Sequence, residues 1–371
     1  MTIDIDSERF ASEFSQAAAF AHARSPKEVL QNIHVVVNGD GLFLHATDGD
    51  HSIRIESSAL IEQHQDGQLL IPIDRGGRML RELSGQASIT VNGKSARVKG
   101  DGCSFNFPTA DPDEFPRVTF DHAESYVEIA AAAFVRMVKE TAYVCDDSSS
   151  RYALGGVTFE SVGSLLTLVS TDGRRLSKSE HHCGVEGDSA LPIGTTIVPK
   201  KAIQTVSRVL SKSDSIVRLS APRSRLDIAC GPACISIRLI EGRFPNWRQI
   251  EQNKVDGFRT AITADDLHTA VRRAAIVTSS ESKAIDFEFS SHGLSITGRA
   301  ESAGESVSST DLLWETDTVV LSLDNTNFSE ICRSIDPNTE ITVEVSGPNA
   351  PVYFGCDNGL SHMIQCMVRN D

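Results

Sequence analysis

The feature that most restricts the folds open to this chain is a unit written three times. Helix starts recur at Ile71-Pro72-Ile73-Asp74-Arg75 and Val198-Pro199-Lys200-Lys201, and a third without proline stands at Leu323-Asp324-Asn325, each about 125 residues from the one before. Thr47-Asp48-Gly49 and Thr171-Asp172-Gly173 are separated by a similar interval, and Ile296-Thr297-Gly298 holds the corresponding third place. Phe115-Pro116 and Phe244-Pro245 close the first two units. A chain of 371 residues exceeds one ordinary core. The repeat therefore divides it into domains at 1–121, 126–251 and 257–371, joined by polar linkers at Asp121 to Ser125 and Gln252 to Gly257.

Within each unit the hydrophobic period changes from helix to strand. Phe10, Phe14, Ala17, Ala18 and Ala21 share one helical face from a start near Ser7, as do Phe134, Met137, Val138 and Val144 in the second unit. In the third, Thr263 is placed to cap a helix whose first turn carries Asp265 and Asp266, with Leu267, Ala270, Val271 and Ala274 on its apolar stripe. Strand pairs come next, 33–37 with 42–45, 157–160 with 165–170 and 286–290 with 294–297, around glycine-containing turns. A second helix succeeds them, near 73–83, 199–211 and 324–335, and then a meander such as Ala87 to Val91 turning at Asn92-Gly93. The implied class is α+β, two helices packed on antiparallel sheet in each unit.

No run of eighteen apolar residues exists and the first thirty residues hold no signal-peptide core, which argues against a membrane span or export and for a cytoplasmic address. The eight cysteines lack a CxxC pair and read as reduced, mostly buried thiols. His181-His182-Cys183 resembles a metal cluster but has no second ligand pair nearby, so it reads as a solvated loop; no metal and no cofactor is expected.

The formal charge of −15 argues on its face against nucleic acid, yet the charge is unevenly spread. Basic residues favour helices: Arg75, Arg78 and Arg81; Arg136 and Lys139; Lys200, Lys201 and Arg208; His268, Arg272 and Arg273. Acidic ones such as Asp48, Asp111, Asp113, Glu114 and Glu186 favour turns. Helices lining one concave surface could present a positive wall to phosphates. Without a recognition-helix cluster, such contacts would be sequence-blind, weak and salt-sensitive.

Three motifs in order carry a family resemblance: Arg151-Tyr152-x-Leu154-x-Gly156, Thr171-Asp172-Gly173-Arg174-Arg175-Leu176, and Glu241-Gly242-Arg243-Phe244-Pro245-Asn246-Trp247-Arg248. They resemble the DNA polymerase III beta subunits, the bacterial sliding clamps, with Arg174 where His is usual. The resemblance implies three clamp domains per chain and a head-to-tail homodimer closed into a six-domain ring around duplex DNA. It implies a processivity factor, not an enzyme, that tethers the polymerase III alpha subunit, the clamp-loader delta subunit and other clamp-binding-motif proteins. By matching positions, the partner-peptide pocket comprises Leu154, Thr171, Gly173, Arg175, Leu176, Pro245, Ile250, Met363, Gln365 and Met367, an apolar slot rimmed by one guanidinium. The DNA-facing residues are Arg24, Arg75, Arg78, Arg136, Lys139, Tyr152, Lys200, Lys201, Arg208 and Arg272. The subunit contact joins Ile276 and Val277 to an edge strand at Phe105 and Phe107.

The sequence departs from the family at the pocket rim. It ends Gln365-Cys366-Met367-Val368-Arg369-Asn370-Asp371 without the usual proline, and Gln249, Ser282, Asp324 and Asn327 replace residues common there. The alternative is a divergent clamp paralogue or a clamp-like scaffold that binds proteins without encircling DNA. Catalysis has no support: Asp48 and Asp172 sit in turns of different units, and no phosphate loop, nucleophile elbow or HExxH occurs.

Overall fold

The computed structural model describes residues 1–120, 124–146, 152–187, 191–278 and 283–367. Seven α-helices occur among them: α1 (Ser7–Ala18), α2 (Ile73–Arg81), α3 (Ala131–Thr141), α4 (Lys200–Leu210), α5 (Trp247–Gln252), α6 (Ala264–Ala274) and α7 (Asn325–Ser334). Side-chain caps set three of the starts. The Asp6 carboxylate accepts from Arg9 N, the Thr263 hydroxyl from Asp266 N, and the Asp324 carboxylate from Thr326 and Asn327 N. Phe10, Phe14 and Ala17 are buried on α1, while Ala18 and Ala21 are half-buried and Phe20 fills the core instead. Gly76 lets α2 lie against α1, because a Cβ there would stand 2.6 Å from the Phe14 ring.

The strands form four antiparallel sheets among the described residues, within two compact units. The first unit comprises Met1–Phe134, Gly184–Leu191 and Thr205–Leu239. Its larger sheet has nine strands, in the order Gly184–Glu186, Tyr126–Ala130, Ile216–Ser220, Arg225–Cys230, Ala233–Arg238, His51–Ser57, Gly41–Thr47, Asn32–Asn38 and Gly67–Pro72. Its smaller sheet has five: Leu60–Gln65, Thr2–Asp6, Gln86–Asn92, Ser95–Gly100 and Cys103–Pro108.

The second unit comprises Val135–Cys183, Pro192–Gln204 and Ile240–Asp371. Eight of its strands run in the order Ile197–Pro199, Gly156–Val162, Leu165–Thr171, Arg175–His182, Leu360–Ile364, Val352–Gly355, Glu340–Val345 and Phe258–Thr263. Four more run Gly304–Thr310, Gly293–Ala300, Ala284–Ser290 and Val319–Asp324. Its core holds interlocking aromatic rings, with Phe328 edge-on to both Phe287 and Phe354 at 5.2 Å.

Two seams join successive repeats, and they obey one rule. The fourth strand of one repeat pairs with the last strand of the next: His51–Ser57 with Ala233–Arg238, and Arg175–His182 with Leu360–Ile364. Each sheet of the middle repeat is thereby merged with a neighbour's, which is why the two compact units cut through it.

The structure corrects several readings. His181 and His182 are strand residues, not a loop. Thr297-Gly298 lies inside a strand instead of at a turn; a Cβ on Gly298 would stand 2.1 Å from the Ala274 carbonyl, so this glycine admits the end of α6. The cysteines are all free, but only Cys145, Cys230 and Cys332 are buried, the others being half-buried. Helix α5 begins inside the third sequence motif, where no helix is expected. Among the described residues no helix is long and apolar enough to cross a membrane.

Candidate functional site

The two Thr-Asp-Gly turns are built alike, atom for atom. Thr47 Oγ1 donates to the His51 carbonyl and Thr171 Oγ1 to the Arg175 carbonyl, both at 2.7 Å. Asp48 Oδ1 accepts from Asp50 and His51 N, as Asp172 Oδ1 does from Arg174 and Arg175 N. Gly49 and Gly173 take φ of 103° and 87°, which a side chain would resist.

Past the turn, the two repeats part company. Arg175 is buried; Nε donates to Asp172 Oδ2 at 2.9 Å, Nη1 to the Asn327 carbonyl at 3.0 Å and Nη2 to Glu330 Oε2 at 2.6 Å. Its guanidinium also lies 5.4 Å above the Tyr143 ring. Burial alone would favour losing the proton, but hydrogen bonds to Glu330 and Asp172 outweigh it and raise the pKa. Arg175 is therefore an internal clamp and not the expected rim; the exposed guanidinium at this turn is Arg174. Beside it, His362 shares a 3.2 Å hydrogen bond with Tyr143 Oη. Burial, helped by the charge of Arg175, pushes its pKa down to about 3, so the ring is neutral.

A cavity of about 320 Å³ opens beside this seam. Leu176, Ile250 and Met363 form its apolar end, and Tyr353, Lys254, Arg259 and Glu344 its polar end. Lys254 Nζ and Arg259 Nε both meet Glu344 Oε2, at 2.7 and 2.9 Å. Burial pushes the Glu344 carboxyl up, but Lys254, the Gly257 N–H and Arg259 outweigh it and hold it below its ordinary value. Helix α5 borders the cavity, its Trp247 buried between Lys178 and the Arg248 guanidinium 4.3 Å from the ring centre.

Of the ten residues expected in the pocket, Leu176, Ile250 and Met363 line this cavity. Leu154 and Thr171 are buried off it, Gly173, Pro245 and Gln365 are exposed, and Met367 is 36% exposed. Among the residues expected to face DNA, Arg24, Arg75, Arg78, Lys139, Lys201, Arg208 and Arg272 are exposed. Arg136 and Lys200 are half-buried and engaged internally: Arg136 with Glu140 at 3.6 Å, Lys200 Nζ with the Cys145 carbonyl at 2.9 Å. Arg151, Ser282, Val368 to Asp371 and the Tyr152 side chain lie outside the described residues. Phe105 and Phe107 border a groove of about 660 Å³ shared with Arg75, Arg78 and Arg81, which unites parts of two expected sites. Ile276 is 77% exposed and Val277 half-buried. Asp4, Glu62 and His64 cluster on one edge as an ion pair, His64 lying 3.1 Å from Asp4.

Two family models match, the N-terminal domain of the DNA polymerase III beta subunit over residues 1–119 and its central domain over residues 128–246. The chain belongs to the DNA polymerase III beta subunit family. The beta sliding clamp of Escherichia coli K12 is 25% identical over 299 residues, covering 80% of both chains, and that of Caulobacter vibrioides NA1000 is 23% identical over 363 residues, covering 95% of this chain and 93% of its own. Among solved structures, a Pseudomonas aeruginosa sliding clamp bound to griselimycin matches with a TM-score of 0.92 at 20% identity, and the Bacillus subtilis clamp with 0.91 at 17%; both cover 100% of this chain and at least 99% of the other. The repeats are thus three clamp domains, each with helices packed on antiparallel sheet.

Sequence reasoning missed Lys254, Arg259, Glu344 and Tyr353. Lys254 falls in a stretch read only as linker, and the others come from strands with ordinary alternation. Their one available signal was the tyrosine at the centre of Val352-Tyr353-Phe354, aimed away from its two buried neighbours.

Proposed function

We propose that the protein is a DNA polymerase processivity factor, a sliding clamp whose two copies close head to tail around duplex DNA. The observation that carries this is the seam rule. Applied once more, it pairs the fourth strand of the last repeat, Gly304–Thr310, with the last strand of the first repeat, Cys103–Pro108, the pair left unmatched within one chain. Both are sheet edges, an arrangement that invites a further strand. Val307 on one is 59% exposed, Ile276 beside it 77%, and Phe105 on the other is half-buried. A second copy satisfies both edges by one isologous operation.

In this reading the domains are 1–121, 126–251 and 257–371, and the exposed Arg24, Arg75, Arg78, Lys139, Lys201, Arg208 and Arg272 meet DNA phosphates without reading sequence. The chain itself performs no chemistry and works in the cytoplasm. The cavity at Leu176, Ile250 and Met363 takes the tail peptides of the polymerase III alpha subunit, the clamp-loader delta subunit and other clamp-binding proteins.

Loading onto a nicked circular DNA by the host clamp loader tests the proposal. A ring stays on the circle and is lost when the DNA is linearised; equal loss from both forms would favour a clamp-like scaffold. Ile276→Asp is expected to turn dimer into monomer in sedimentation, with unchanged circular dichroism.

A further inference from the structure

The cavity does not end at its apolar slot. Beyond Leu176, Ile250 and Met363 it continues along the sheet to Tyr353, where Lys254 lies 4.5 Å from the ring centre, and on to Arg259. One carboxylate, Glu344, serves both cations, and its side chain is 5% exposed. The polar end therefore carries an uncompensated positive charge. Arg259 uses only Nε for Glu344; among the described residues its Nη1 and Nη2 have no partner, and its side chain is 63% exposed. Such a fork fits a carboxylate. The other acid on the wall, Glu251, pairs with Lys178 at 2.7 Å, a cation it shares with Glu180 at 3.3 Å, and it makes no ion pair with Arg259 or Lys254.

We infer that this end is an acid-selecting subsite: partner peptides place an aliphatic anchor in the apolar slot and an Asp or Glu side chain, or a terminal carboxylate, against Arg259 and Lys254. The inference rests on the peptide-pocket reading of the slot and adds a preference to it. Tyr353 supplies the flat surface that the peptide crosses between anchor and acid. Because the subsite is solvent-facing, its contribution is modest and falls with salt.

The test uses the full-length protein and three labelled decapeptides that share one leucine-rich anchor and carry Glu, Gln or Lys at the flanking positions. In anisotropy titrations the Glu peptide should bind about three- to fivefold tighter than the Gln peptide, and the Lys peptide weaker than either. Arg259→Gln, which leaves the Lys254–Glu344 pair in place, should abolish the difference between Glu and Gln peptides while the Gln peptide binds as before. Lys254→Gln should reduce it. If wild type binds all three peptides equally, or if the Glu preference survives in both variants, the inference is overturned while the pocket stands. If no peptide binds, or if Leu176→Ala leaves binding unchanged, the pocket reading falls and the subsite with it.

Discussion

The two seams share a backbone and invert their chemistry. In the first, Ile53 faces Ile235 across the joint and the adjoining pair is Ser52 with Ser236. At the matching places of the second, Ser177 faces His362, and the adjoining pair is Leu176 with Met363. One joint is thus apolar where the other is polar, on both faces of the sheet. A seam whose covered face is built from hydrogen-bonding groups can release its apolar residues to the other face, where Leu176 and Met363 line a cavity. This is the physical reason that Leu176 and Met363 give the second seam an apolar cavity wall where the first has Ser52 and Ser236, although strand pairing is the same in both.

The largest test of that contrast is Arg175→Ala. Removing the buried guanidinium strands Asp172 and Glu330 and should lower stability by about 3–5 kcal/mol in urea unfolding. His51→Ala, at the corresponding place after the first turn, should cost under about 1 kcal/mol. Equal costs would break the comparison. Next in size, Leu176→Ala should cost about 2–3 kcal/mol and weaken peptide binding, whereas Ser52→Ala at the first seam should do neither.

Within one pH unit of neutrality the smallest effect is acid sensitivity. His362 has its folded pKa depressed to about 3 from an ordinary 6.5, so between these values the unfolded chain binds a proton that the folded chain refuses. Stability from this group is present above pH 6.5 and is lost progressively as pH falls toward 3, by about 1 kcal/mol between pH 6.5 and 5.5. His45, driven down to about 4 chiefly by burial, adds a similar slope from the first unit. His362→Leu should therefore flatten the acid limb of the urea midpoint without removing it; an unchanged slope would show that His362 has no part in that limb.

Much of this architecture is legible in sequence because it is local. Thr263 and the acids behind it announce α6, and Asn38-Gly39-Asp40-Gly41 announces its hairpin, since caps and turns are decided by residues a few positions apart. The resemblance of the Thr-Asp-Gly motif placed Leu176 and Met363 in one site, and the two are paired across the second seam, but it set Arg175 at the rim. Whether a guanidinium faces solvent or Glu330 depends on α7, which packs there from far along the chain. The cavity was half legible for the same reason: Leu176, Ile250 and Met363 lie in recognisable motifs, while Lys254, Arg259 and Tyr353 converge only after the sheet has formed. Arg136 and Lys200 looked like surface cations because helix spacing cannot reveal a neighbour such as Glu140 or an open carbonyl at Cys145.

The joints between repeats are made by amide and carbonyl groups, which every amino acid except proline supplies. A chain fastened in this way can rewrite the residues along its joints, exchanging isoleucines for serine and histidine, without loosening them. That freedom lets an architecture persist when only a fifth of the sequence is held in common, and it leaves the side chains on the exposed side of a joint free to change while the strands stay fastened.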